Sequence, residues 1–137
     1  MTPLNQDIRD FLACLNIAKV EYLMVGAYAL AVHGYPRATG DIDFWINPTP
    51  ANAQQIMLAL HCYTAPMPLS ESDFLNENTV IQLGVAPNRI DLLTSVDGLT
   101  FEQAWNNKLT LTIDGLSLFV LSKEWGATKI RATFVGC

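Results

Sequence analysis

Hydrophobic and polar positions along the first quarter of the chain follow two different patterns, a helical spacing and a continuous apolar run. Apolar residues recur mostly every three or four positions over residues 7–18, behind a polar start, and this spacing predicts an amphipathic helix. A continuous apolar run over residues 22–25, stopped by Gly26, is typical of a buried strand. The Ala- and Leu-rich residues 27–33 favour a short helix that ends at Gly34.

The next segment predicts a second strand and a second long helix. Apolar residues dominate positions 41–46, and an Asn-Pro pair closes the run, as expected for a strand that leads into a turn. The helix is predicted over residues 49–62, with Thr49 as its N-cap and Pro50 at its first position, where a missing N–H breaks no helical hydrogen bond.

The rest of the chain predicts short elements. Residues 66–78 are polar and irregular, and we expect a loop there with one helical turn after Ser70. The remaining predicted elements are strands over residues 79–83 and 89–93, a helix over 101–106, a hairpin of 109–113 and 116–120 across Asp114 and Gly115, and a last helix capped by Ser122. This order predicts a mixed central β-sheet flanked by helices, an α+β (α/β) fold, in a single domain over residues 1–137.

Composition narrows the class of protein. With 137 residues, 50% of them hydrophobic and 15% charged, the chain fits one compact domain, and its low charge favours a homodimer or a partner protein that covers apolar surface. Eight basic and thirteen acidic residues give a net charge of −5, which argues against binding of duplex DNA. No apolar run reaches the about 20 residues that cross a bilayer, so we expect a cytoplasmic protein without membrane contact.

The three cysteines predict neither a zinc site nor a disulfide framework. Cys14, Cys62 and Cys137 are odd in number and have no CxxC spacing. Because paired spacings are the usual signature of such sites, we expect reduced and mostly buried thiols.

Three aspartates interrupt two of the apolar strands. Asp41 and Asp43 lie two positions apart, so the alternation of a strand places both carboxylates on one face while the apolar residues beside them point to the other. Asp91 interrupts the strand over residues 89–93 in the same way. If the two strands pair side by side, the three acids meet in one patch.

Such a patch predicts a site for a divalent cation. Carboxylates held close together repel one another and destabilise the fold unless a cation neutralises them. Oxygen ligands alone select magnesium or manganese, whereas zinc would require histidine or cysteine, and neither His33 nor His61 has a ligand-like spacing to the acids. Two other interpretations are open: solvent-facing positions of a half-exposed sheet, and a calcium loop, which the apolar residues between the acids disfavour.

An anion site is predicted just before the paired acids. The strand over residues 22–25 enters a helix through Gly26 and Ala27, a turn that leaves backbone N–H groups and the positive end of a helix directed at an anion. Arg37 and Thr39 offer a guanidinium and a hydroxyl to the same ligand. An anion site beside a cation site is what nucleotide–metal chemistry requires.

Residues 26–43, from the glycine turn through the paired aspartates, resemble the signature of the DNA polymerase β-like nucleotidyltransferase superfamily. They look most like its small bacterial branch, which includes the toxin–antitoxin nucleotidyltransferases of the AbiEii and MNT type. The resemblance is specific over residues 22–46, is supported over 89–93 and is loosely consistent over most of the chain. It implies a minimal nucleotidyltransferase domain whose C-terminal helix is curtailed.

The resemblance also implies a reaction and its site residues. A hydroxyl attacks the α-phosphorus of a nucleoside triphosphate and pyrophosphate leaves, with two Mg²⁺ ions, or Mn²⁺ in their place, held by Asp41, Asp43 and Asp91. Asp41 and Asp43 would bridge both ions, and Asp91 would bind the ion on the nucleophile side and accept its proton. The nucleotide-binding roles fall on Gly26, Ala27, Arg37, Thr39 and Lys129. A solvated charge on a helix face is the alternative for Lys129.

Two hypotheses about function follow. The first is an Mg²⁺-dependent enzyme, in a toxin–antitoxin system, that moves a nucleoside monophosphate to a hydroxyl of an RNA end, a protein or a small molecule. The acidic charge favours a protein acceptor or a tRNA end held by a partner. The second is a catalytically degenerate binding module, antitoxin-like or regulatory, because the family usually has Gly or Ser where Ala27 stands. A DxD glycosyltransferase is disfavoured, since it would need a nucleotide-sugar domain larger than this chain.

Overall fold

The computed structural model describes residues 6–25, 42–64, 68–83, 89–113 and 115–122. The helices are α1 (Gln6–Ile17), α2 (Pro50–Tyr63) and α3 (Phe101–Asn106), with a 3₁₀ helix over Glu71–Phe74. The strands are β1 (Tyr22–Val25), β2 (Ile42–Ile46), β3 (Val80–Leu83), β4 (Ile90–Leu93), β5 (Leu109–Ile113) and β6 (Leu116–Val120). Each of these elements lies where the sequence pattern predicts one of its type. The helices predicted over residues 27–33 and after Ser122 lie outside the described ranges.

The six described strands form one mixed sheet in the order β3, β4, β2, β1, β6, β5. In its centre, β1 pairs antiparallel with β2 and parallel with β6, and β2 pairs parallel with β4. Two antiparallel pairs, β3 with β4 and β5 with β6, form the flanks. The predicted mixed sheet with helices packed on it is therefore confirmed.

One face of the sheet packs against α1 and α2 and forms the larger core. Alternate strand positions contribute to it, among them Phe44, which is fully buried against the rings of Phe11 and Tyr22 with both pairs of ring centroids 5.5 Å apart. Ile90 and Leu92 of β4 lie on this face, as the alternation of that strand predicts. Burial of these side chains is the main term that holds the helices on the sheet.

The opposite face carries a smaller core beside α3. Leu23, Trp45 and Leu93 pack there with Phe101, whose ring meets that of Trp45 edge-on at a centroid distance of 5.3 Å. Because side chains two positions apart on a strand share a face, Val25, Asp43 and Asp91 belong to this second face. The smaller core thus borders the carboxylates.

Asn52 joins the start of α2 to the strands beside it. Its Oδ1 accepts a hydrogen bond from the backbone N–H of Glu21 at 2.8 Å, and its Nδ2 donates to the carbonyl oxygens of Glu21 and Asn47 at 3.0 and 2.9 Å. Its own N–H donates to the hydroxyl of Thr49, the predicted N-cap, at 3.2 Å. These bonds fix β1 beside β2 at the end of the pair that lies away from Asp43.

The cysteine prediction is wrong for two of the three residues. Cys14 of α1 and Cys62 of α2 form a disulfide, with Cα atoms 5.8 Å apart and a sequence separation of 48. Cys62 is exposed, so the expectation of buried thiols fails there as well. The pairing arises because α1 and α2 pack side by side, a contact that cysteine spacing does not encode.

None of the helices within the described ranges is long and apolar enough to cross a membrane.

Candidate metal centre

Strands β2 and β4 bring Asp43 and Asp91 side by side. The two residues are direct partners in the parallel ladder, so their side chains leave the same face of the sheet. Neighbouring strands lie about 4.8 Å apart, a spacing that lets two carboxylates approach one cation. The sequence predicts that the acids meet only if their two strands pair side by side. The pairing of β2 with β4 meets this condition for Asp43 and Asp91. Asp41 lies outside the described residues.

Asp91 is almost completely buried. Its relative exposure is 1%, whereas Asp43 is half-buried. The interpretation of the aspartates as solvent-facing positions of a half-exposed sheet is therefore wrong for Asp91. An ionised carboxylate at such a site is costly unless a cation or hydrogen-bond donors compensate it.

One compensating cation is Arg89. Its Nε lies 3.2 Å from Oδ1 of Asp91, and its side chain keeps 26% of its surface exposed. The backbone carbonyl of Arg89 accepts a hydrogen bond from the N–H of Ile42 at 3.1 Å, which continues the pairing of β2 with this segment. The role of Arg89 was not part of the sequence prediction, although its position two residues before Asp91 places both side chains on one face.

The two carboxylates belong to a row of four paired residues, one on each of four neighbouring strands. Val25 of β1 pairs with Asp43, and Gln82 of β3 pairs with Asp91, so the row runs from an apolar side chain through two acids to an exposed amide. Trp45 lies two positions beyond Asp43 on the same face and is buried in the smaller core. The carboxylate oxygens, which are hard ligands, therefore lie next to the buried apolar side chains of the smaller core.

The ligand set of the described residues suits magnesium or manganese. Both ions prefer carboxylate and carbonyl oxygens, which the two acids and the amide of Gln82 provide. Within the described ranges, no group of three or more His, Cys, Asp or Glu side chains converges on one point. A complete site of three acids therefore needs Asp41, as the sequence predicts.

The remaining predicted site residues fall outside the described ranges. They are the nucleotide-binding candidates Gly26, Ala27, Arg37, Thr39 and Lys129. Their assignment stays a prediction from the sequence.

Two surface pockets lie near the start of β1, at the end of the strand away from Asp43. Their volumes are ≈ 330 and ≈ 410 Å³, and both are lined by Lys19 and Glu21, which precede the strand. Asp43 pairs instead with Val25 at the far end of β1. Neither pocket therefore contributes to the candidate metal centre.

Comparison with known proteins supports the fold. No family model and no curated protein sequence matches the chain. The structure is similar to the crystal structure of TM1012 from Thermotoga maritima, a protein that carries the provisional name of nucleotidyltransferase. The TM-score is 0.60 at 16% sequence identity, over 88% of this chain and 78% of that one. At this identity the likeness establishes a nucleotidyltransferase-like α+β fold.

Proposed function

We propose that this chain is a metal-dependent nucleotidyltransferase, which moves a nucleoside monophosphate from a nucleoside triphosphate to an acceptor hydroxyl. The observation that carries the proposal is the buried Asp91 in register with Asp43 on neighbouring inner strands of a nucleotidyltransferase-like sheet. A buried acid in register with a second acid is unfavourable for stability alone, and a site that binds a cation gives the pair a function.

The described residues fit a site for Mg²⁺. Asp43 and Asp91 would hold the metal together with Asp41, and Mg²⁺ when bound would neutralise charge on the triphosphate and lower the pKa of the attacking hydroxyl. The carboxylate of Asp91 is our candidate to accept the proton of that hydroxyl. Val25 and Trp45 are buried in the smaller core on the face that carries the acids.

The nucleotide would lie across the turn that precedes the acids. Backbone N–H groups of Gly26 and Ala27 would hold phosphate oxygens, with Arg37 and Thr39 as side-chain donors. Lys129 would contact the nucleotide from the C-terminal segment. These roles rest on the sequence pattern and on the resemblance to the superfamily.

We further propose that the enzyme is of the AbiEii or MNT type and acts in a toxin–antitoxin system. A net charge of −5 does not favour a long nucleic acid as sole partner. The acceptor we favour is therefore a protein hydroxyl, or a tRNA end presented by a partner protein.

The proposal is tested first by nucleotide binding, which does not require the acceptor. Each of the four nucleoside triphosphates is added with Mg²⁺ or Mn²⁺, and the melting temperature is measured. A ligand at 100 times its dissociation constant stabilises the folded state by about 2.7 kcal/mol, an easily measured shift. Transfer is then followed with α-labelled nucleotides, bulk tRNA and the protein itself as acceptors.

Isosteric variants separate catalysis from folding. Asp43→Asn and Asp91→Asn should each lose metal-dependent nucleotide stabilisation and transfer. Asp10→Asn is the matched control, because Asp10 is exposed on α1, which packs on the other face of the sheet. Nucleotide binding without turnover would favour the degenerate binding module. The alanine at position 27, where the superfamily usually has Gly or Ser, is the sequence feature that supports that alternative. A wild-type protein that binds no nucleotide with either metal would contradict the proposal.

A further inference from the structure

Arg89 places a positive charge beside one carboxylate of the candidate metal centre. Its guanidinium contacts the buried carboxylate of Asp91 at 3.2 Å, from a position two residues earlier in the chain. An arginine remains charged at every pH at which the protein is folded, so it provides a permanent positive charge there.

A protein with two acids in register must remain folded before it binds metal. Asp43 and Asp91 are neighbours in the ladder, and Asp91 is 1% exposed, so the like charges cannot be screened well by water. The contact with Arg89 offsets part of this repulsion in the metal-free protein.

We propose that Arg89 is an exchangeable counter-cation: it pairs with Asp91 in the metal-free protein and gives up that contact when a divalent ion binds. This inference rests on the proposed function, since it requires the metal site. Arg89 thereby competes with the metal for Asp91: it lowers the metal affinity of the site and stabilises the metal-free fold.

Exchange follows from charge and exposure. A divalent ion bound by Asp91 would lie close to the guanidinium, and two cations at such range repel in a partly dry site. Arginine cannot relieve the repulsion by losing a proton. Its side chain, 26% exposed, has access to water, so movement away from Asp91 relieves the repulsion.

The sign of the change in metal affinity tests this proposal. Arg89→Gln removes the charge and retains a hydrogen-bond donor, and we expect it to bind Mn²⁺ about tenfold more tightly than the wild type. If Arg89 only oriented Asp91, the same variant would bind Mn²⁺ more weakly. Arg89→Lys keeps the charge and should stay within about twofold of the wild type.

Binding can be followed without any enzyme assay. Mn²⁺ quenches tryptophan fluorescence at short range, and Trp45 lies two positions from Asp43 on the same face, about 7 Å along the strand. Calorimetric titration with Mn²⁺ gives an independent dissociation constant. Lys19→Gln is the control for net charge, because Lys19 is exposed at the other end of β1 and its variant should bind Mn²⁺ like the wild type.

A second measurement uses the wild-type protein, in case Arg89→Gln does not fold. The ¹⁵Nε–¹Hε resonance of Arg89, assigned by its loss in Arg89→Lys, should shift on titration with Mg²⁺ as the contact with Asp91 is lost. Saturation with Mg²⁺ that leaves this resonance unchanged would overturn the exchange. So would an Arg89→Gln variant with equal or weaker Mn²⁺ affinity.

Failure of the metal site on which the proposed function depends gives a different result. In that case the wild type, Arg89→Gln and Asp91→Asn would all bind no Mn²⁺ in the calorimeter. The exchange is refuted, with the proposed function intact, when the wild type binds Mn²⁺ through Asp91 and Arg89→Gln does not bind it more tightly.

Discussion

Replacement of Asn52, a buried polar residue in the first turn of α2, by leucine should strongly destabilise the protein. Asn52 is 5% exposed and makes three side-chain hydrogen bonds with backbone groups of Glu21 and Asn47. Leucine has a similar volume but no polar atom, so the N–H of Glu21 would lose its partner, and the carbonyl oxygens of Glu21 and Asn47 would each lose one of two donors, keeping the backbone N–H groups of Asn47 and Thr49. At about 1 kcal/mol for each net hydrogen bond, the expected loss is about 3 kcal/mol.

The assay is urea unfolding followed by tryptophan fluorescence, with the disulfide intact. The loss of about 3 kcal/mol should appear in the free energy of unfolding, and in a separate thermal melt it should lower the melting temperature by about 10 °C. Gln54→Ala on the same helix is the control, since Gln54 is exposed and its loss should change stability by less than about 0.5 kcal/mol.

Asn52→Asp separates hydrogen bonding from packing. The carboxylate keeps the acceptor for the N–H of Glu21 but faces two carbonyl oxygens without a proton to donate. The stability of this variant should therefore be lowest near pH 7 and should recover in part as the pH falls towards about 4, because the fold favours the protonated acid and stability no longer changes with this group below the pKa of the unfolded chain. The reasoning would be refuted if Asn52→Leu lost less than about 1 kcal/mol with an unchanged urea dependence.

Three further predictions concern the larger core and the disulfide that joins α1 to α2. Phe44→Ala should lower the free energy of unfolding by about 3 to 5 kcal/mol in urea, because Phe44 is fully buried between other rings; a loss below about 2 kcal/mol would contradict this packing. Cys62→Ser should lower it by about 3 to 4 kcal/mol and remove its dependence on reductant, since the bond to Cys14 closes a long loop; equal stability of the wild type with and without dithiothreitol would contradict the disulfide. Burial raises the pKa of Tyr22, with partial opposition from a backbone hydrogen bond at Phe119, so the phenol ionises first in the unfolded chain. The stability that it contributes should be complete below about pH 10 and fall above it, and Tyr22→Phe should show a shallower fall between pH 10 and 12.

Local signals in the sequence predicted the elements because those signals act over a few residues. Thr49 accepts the hydrogen bond from Asn52 that an N-cap requires, and α2 begins at the next residue. Gly115 adopts a φ of +81°, as the tight turn of the predicted hairpin demands. The same holds for the 3₁₀ helix, where the N–H of Ser70 donates to Asp73 at 2.8 Å.

Contacts between distant segments could not be predicted in this way. The disulfide joins residues 48 positions apart, and it depends on α1 packing beside α2. The contact of Arg89 with Asp91 is local in sequence, but its significance depends on the burial of Asp91. Burial in turn depends on β3 and β2 flanking β4, which strand periodicity does not reveal.

The sequence by itself determined that Asp43 and Asp91 each interrupt an apolar strand, because the period of two is a property of the extended backbone. The tertiary structure decided that they meet. It made β2 and β4 neighbours and chose the register that sets Asp43 opposite Asp91. A shift of one residue in that register would have paired Asp43 with an apolar residue and removed the candidate metal centre, since neighbouring positions on a strand point to opposite faces.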